Sequence, residues 1–166
     1  TEIALKMSFH YWRNNGRPDK TGFVSLKNGY HGETLGALSV TDVALFKDIY
    51  APLLRHSHQA MSPDWRLAEP GESAEAYARR AAAELDTWLV EHGERTAAVI
   101  LEPLVQGAAG MAMHHPVYLS EVRALCDRHG VHLIADEIAV GFGRTGTLFA
   151  CEQAGTQVAD IADFVC

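Results

Sequence analysis

At 166 residues and 18.1 kDa, with 48% apolar and 21% charged residues, the chain has the size and composition of one globular domain and not of a disordered segment. No apolar run approaches the ~20 residues a membrane span needs, and 14 Lys+Arg against 21 Asp+Glu, a net charge of −7, argue against a nucleic-acid partner. Three cysteines, Cys126, Cys151 and Cys166, are odd in number and lack metal-ligand spacing, so they read as buried thiols of a reducing, cytoplasmic compartment.

Residues 2–13 carry apolar side chains nearly all round a helical pattern, which predicts a buried helix ended by Asn14-Asn15-Gly16-Arg17-Pro18. Thr21 to Leu26 is β-prone, Asn28 to Gly32 a turn, and Thr34 to Val40 a short helix. Asp42 is placed to N-cap a helix from Val43 to about Leu54, and residues 55–72 read as an irregular surface loop. Ser73 to His92 is the clearest helix, with Tyr77, Ala78, Ala81, Leu85, Trp88 and Leu89 along one face and Gly93 as its stop.

Thr96 to Leu101 is a continuous apolar run, as in a strand covered on both faces. Pro116 opens a helix whose face holds Leu119, Val122, Leu125 and Cys126, Gly130 ends it, and Val131 to Ala135 is a second buried strand. Strands alternating with helices predict an α/β fold with a mainly parallel sheet flanked by helices. No internal repeat or low-complexity tract is visible. Thr1 already lies within a helical pattern, and Asp163 to Cys166 stops where an apolar strand begins, so the chain reads as an internal piece of a larger protein.

Leu133-Ile134-Ala135-Asp136-Glu137-Ile138 delivers two acids at the carboxyl end of a buried strand, the edge where open parallel sheets bind ligands. An ionised Asp136 there needs a partner. Gly141-Phe142-Gly143-Arg144-Thr145-Gly146 follows; it lacks the Gly-Lys-Ser/Thr ending of a nucleotide-binding loop, and Arg144 reads as structural. The closest histidine pairs among nine, His56/His58 and His114/His115, have no Cys or carboxylate at zinc-like spacing, so no metal is expected.

Asp136-Glu137-Ile138 with Gly141 to Gly146 resembles the signature of class III aminotransferases, fold-type I enzymes that use pyridoxal 5'-phosphate. Gly29-Tyr30-His31-Gly32-Glu33-Thr34 and Leu101-Glu102-Pro103-Leu104-Val105-Gln106-Gly107 resemble two further family segments, and the resemblance spans essentially the whole chain. It implies that Asp136 is the carboxylate beside the pyridine nitrogen, the catalytic role carried by this stretch. It implies that Ile138 and Tyr30 border the cofactor ring, that Glu102 stands just behind them, and that Tyr30 and Glu33 border the substrate. Within the family, Lys6-Met7, Tyr11-Trp12, Ser39 to Asp42, Gln106 to Met111, His115 to Leu119 and Leu148 to Glu152 resemble members that move an amino group from S-adenosylmethionine to 8-amino-7-oxononanoate in biotin biosynthesis.

The alternatives are an ω-amine or taurine:pyruvate transaminase and a truncated homologue without catalysis. Those members often carry Asp at the position of Glu33 and Thr at that of Val140. The resemblance further implies a homodimer when intact. It makes residues 1–166 a partial large, cofactor-binding domain, with the small C-terminal domain absent. The phosphate cup is expected just before Thr1 and the Schiff-base lysine about three residues past Cys166; Lys6, Lys20, Lys27 and Lys47 do not stand in its context.

Overall fold

A computed structural model describes residues 1–155 and 158–166. Five parallel strands form its sheet, in the order β2-β1-β3-β6-β7: β1 is Gly22–Leu26, β2 His58–Ala60, β3 Thr96–Leu101, β6 His132–Ala135 and β7 Phe164–Val165. A separate antiparallel pair joins β4, Val105–Gln106, to β5, Ala112–Met113. The fold is α/β, as the alternation of elements predicts.

The continuous apolar runs follow from coverage of both sheet faces. Val24, Leu26, Val99, Leu101 and Leu133 pack against helices α4 (Ala74–His92) and α5 (Val117–His129) through Ala78, Ala81, Leu85, Leu119 and Val122. Phe23, Ala98, Ile100 and Ile134, one residue out of phase, meet Ala4, Leu5 and Val40 of helices α1 (Glu2–Asn14) and α2 (Leu35–Val40). Ser73 N-caps α4 by accepting from the Ala76 amide, and Gly130 ends α5 in the left-handed conformation, φ 59°.

Three expectations are corrected. Helix α1 buries only Ala4, Leu5 and Ser8, while Ile3, Met7 and Tyr11, four residues apart, form an exposed stripe. Asp42 caps no helix: Oδ2 accepts from the Asn28 amide, and Val43 precedes a single α-turn, α3 (Ala44–Lys47), that tightens into a 3-10 helix, Asp48–Leu53, containing Pro52. The 55–72 segment is not wholly irregular, because His58–Ala60 adds edge strand β2 and Trp65–Leu67 a 3-10 turn.

Candidate active site

Parallel strands place their carboxyl ends on one edge, and this edge gathers the chemistry. Asp136 follows β6 and donates its backbone N–H to Leu101 O of the neighbouring strand at 2.8 Å. Glu102 follows β3, and the Gly29–Thr34 turn follows β1. The three motifs, more than a hundred residues apart at their extremes, therefore meet where the topology brings strand ends together.

Asp136 is buried, and its two oxygens are held unequally. Oδ2 accepts from His31 Nδ1 at 2.8 Å and from Thr1 Oγ1 at 3.3 Å, while Oδ1 accepts from the Ile138 amide alone, at 3.3 Å. No Lys or Arg bonds to this carboxylate among the described residues. The adjacent acid has another task. Glu137, fully buried, accepts from the Ala150 amide with Oε2 and the Cys151 amide with Oε1, at 2.9 and 2.8 Å, and so shapes the 137–151 loop. A Cβ at Gly141 would stand 2.8 Å from Glu137 O, so that loop needs glycine there.

Ile138 is 67% exposed beside the buried carboxylate, an apolar wall with nothing packed on it and not a core residue. Tyr30 is half-buried; its ring lies 5.0 Å from that of Phe46, and its hydroxyl donates to Glu33 Oε1 at 3.1 Å. Burial foremost, then the Glu33 carboxylate, raises the Tyr30 pKa above the usual phenol range. Glu102 has no cationic partner. Oε1 accepts from the Tyr30 amide at 3.2 Å and Oε2 from the Gly107 amide at 2.9 Å, tying the aromatic turn to the start of the β4–β5 hairpin. Burial pushes its pKa up against the pull of those two amides.

The sequence reading missed the role of His31, whose only signal was its place beside Tyr30. Gln106 is not aimed at an open site: it is buried, accepts from Ser62 Oγ and donates to Lys27 O, clamping the hairpin to β1. Arg144 is exposed on the glycine-rich loop. A cavity of about 370 Å³ lies on the α1/α2 face, lined by Leu5, Lys6, Phe9, Phe23 and Val40 among others, and contains none of these site residues. Among the described residues no three His, Cys, Asp or Glu side chains converge as a metal site, and no helix is long and apolar enough to cross a membrane.

A buried carboxylate with one lightly held oxygen, an unpacked aliphatic side chain beside it and a half-buried tyrosine on the same edge form a donor set suited to a protonated heteroaromatic ring, as in pyridoxal phosphate. Comparison with known proteins agrees. Adenosylmethionine-8-amino-7-oxononanoate aminotransferase of Geobacter sulfurreducens is 43% identical over 155 residues, covering 93% of this chain and 34% of that protein. The enzyme of the same name from Helicobacter pylori is 43% identical over 167 residues, covering 99% and 35%. The crystal structure of the ω-transaminase of Pseudomonas jessenii in complex with PMP superposes with a TM-score of 0.86 at 34% identity, over 94% of this chain and 35% of that one. The chain thus spans about a third of the length of these relatives. The family profile Aminotransferase class-III matches residues 1–165, and the chain belongs to that pyridoxal-phosphate-dependent family.

Proposed function

We propose that the protein carrying this chain transfers an amino group from S-adenosylmethionine to 8-amino-7-oxononanoate, yielding 7,8-diaminononanoate for biotin synthesis. The observation that carries the reading is the 43% identity to enzymes of that name over a stretch that includes the whole carboxyl-edge cluster. Residues 1–166 are the middle of the large cofactor domain in this reading. The lysine that binds the cofactor covalently, the phosphate cup and the small domain belong to other parts of the protein. The protein acts as a cytoplasmic homodimer on small molecules, without nucleic acid or membrane.

Bound pyridoxal phosphate supplies an electron sink for the pair released when the amine-bearing carbon of the substrate gives up a proton. Asp136 holds the proton on the ring nitrogen: a carboxylate in a dry site favours the pyridinium over the neutral ring, and an amide could not. Ile138 and Tyr30 border the ring and exclude water from it, while Glu102 fixes the Tyr30 backbone. Glu33, exposed and bonded to the Tyr30 hydroxyl, meets the polar end of the substrate.

The test is a half-reaction on the purified whole protein, following the visible absorbance of the bound cofactor as single amino donors are added. S-Adenosylmethionine is expected to convert it, and alanine, β-alanine and taurine are not. Conversion by those amines alone would transfer the protein to the ω-amine or taurine:pyruvate class. No conversion by any donor would mark a non-catalytic homologue. Sedimentation of the same sample checks the dimer.

A further inference from the structure

The imidazole of His31 is fully buried, yet only half of its bonding capacity is used. Nδ1 meets Asp136 Oδ2 at 2.8 Å, and Nε2 has no partner among the described residues. Opposite a carboxylate, Nδ1 must carry the hydrogen. Nε2 is then a bare acceptor, a smaller penalty than a stranded N–H of a charged ring. The ring thus gives Asp136 one hydrogen bond and no formal positive charge.

The surroundings are shaped to keep it there. The His31 amide donates to Thr41 Oγ1 at 3.0 Å, anchoring the backbone. Gly29 leaves room for the ring, since a Cβ there would stand 3.3 Å from Nε2 and 3.0 Å from Leu26 O.

We propose that His31 is the positioning residue of this site: it clasps Asp136 by Oδ2, leaves Oδ1 for the cofactor's ring nitrogen, and so sets how fully that nitrogen is protonated. The inference rests on the reading of Asp136 given above. A carboxylate held at one oxygen by a neutral donor keeps its charge and loses its rotational freedom, so the remaining oxygen presents both to whatever lies beside it. A lysine or arginine at the position of His31 would instead satisfy Asp136 with its own charge and leave less for the ring.

The experiment uses the whole protein reconstituted with pyridoxal phosphate labelled with 15N in its ring, reading the nitrogen chemical shift alongside kcat and KM. His31→Leu removes the donor. His31→Gln moves an amide nitrogen to the place of Nε2, and His31→Asn keeps one at the place of Nδ1. The leucine and glutamine variants are expected to shift the resonance toward the unprotonated ring. Their kcat falls about tenfold or more, with KM changed far less. His31→Asn is expected to keep the native resonance and to recover most of kcat. A purely structural role would move stability in all three without this split, so thermal melts are recorded in parallel. If the leucine variant does not fold, the asparagine–glutamine pair decides. Native resonances in the leucine and glutamine variants, with a displaced one in Asp136→Asn, would overturn the role of His31 alone. A native resonance in Asp136→Asn would overturn the reading of Asp136 beneath it.

Discussion

At the amino-terminal edge of the sheet Lys20 is 1% exposed; at the carboxyl-terminal edge Asp136 is 4% exposed. The ammonium of Lys20 donates to Gly93 O at 2.7 Å and Thr96 O at 3.0 Å, and lies 4.7 Å from the centre of the Trp12 ring. It is consumed by backbone carbonyls that strand β3 would otherwise leave open at its start. Asp136 is held mainly by side chains, chiefly at one oxygen, through a histidine that itself lacks a second partner. A buried charge that ends in saturated backbone bonds is architecture. One left with spare capacity at a strand's carboxyl end is poised for a ligand.

The largest expected effect tests the second half of that contrast. Asp136→Asn in the whole protein keeps the shape of the site and removes the charge. We expect transamination to fall by about a thousandfold or more, with the melting temperature within a few degrees of native. Near-native turnover would show that Asp136 is no more than a strand-end structural acid.

Glu137 sits one residue away and belongs to the architectural class, its two oxygens each spent on a backbone amide. Glu137→Gln leaves one of those amides facing an NH2 group. The expected cost is about 1–3 kcal/mol of local stability. Hydrogen exchange at the Ala150 and Cys151 amides should accelerate while turnover falls far less than in Asp136→Asn. Equal losses in the two variants would erase the distinction between the neighbouring acids.

Lys20→Met probes the other edge, where the expected loss is about 1–2 kcal/mol from two stranded carbonyls, with turnover unchanged. The pH dependence sharpens it. Burial foremost, then the Arg17 charge, lowers the Lys20 pKa to about 8 from 10.5. Between these values the unfolded chain binds the proton and the folded chain does not, so the contribution of Lys20 to stability rises with pH across that window. Urea midpoints of native protein relative to Lys20→Met should therefore climb from pH 8 to 10.5; a flat or falling difference would mean that the ammonium stays charged when buried.

Much of this was legible because its physical signal is local. Thr96 to Leu101 shows burial on both faces as an unbroken apolar run, and Ser73 and Gly93 bracket α4 as cap and stop. The three motifs at the carboxyl edge announced themselves by residue type, and the structure brings Tyr30, Glu102, Asp136 and Ile138 to that edge. What escaped depends on distant partners. His31 and Asp136 stand 105 positions apart, and no local pattern separates the acid that waits for a ligand from Glu137, which caps a loop. Edge strand β2 has three residues, too few for a period-2 signal, and Ile3, Met7 and Tyr11 made α1 look more buried than it is because composition does not say which face is covered.

The smallest expected effect lies in the backbone. The non-glycine residues with positive φ, Asn28, Leu104, Met111 and Phe142, all follow strands or lie in the hairpin on the carboxyl side, whereas the turns that lead into β1 and β6 use Gly16 and Gly130. Left-handed backbone costs a residue with a Cβ about 1–2 kcal/mol, so strain is tolerated on the edge that carries chemistry and avoided on the other. Gly130→Ala is a clean measure, because an added Cβ meets nothing within 4 Å and the change is purely conformational. It should destabilise by about 1 kcal/mol and leave turnover untouched. Phe142→Gly, at φ 57° and 85% exposed, should relieve strain and change stability by less than about 1 kcal/mol, because the gain is offset by the greater freedom of glycine in the unfolded chain. Its signature is a fall in kcat without a matching fall in melting temperature. If instead turnover follows stability in both variants, the left-handed residues of the carboxyl edge are ordinary turns and the asymmetry between the edges ends with the buried charges.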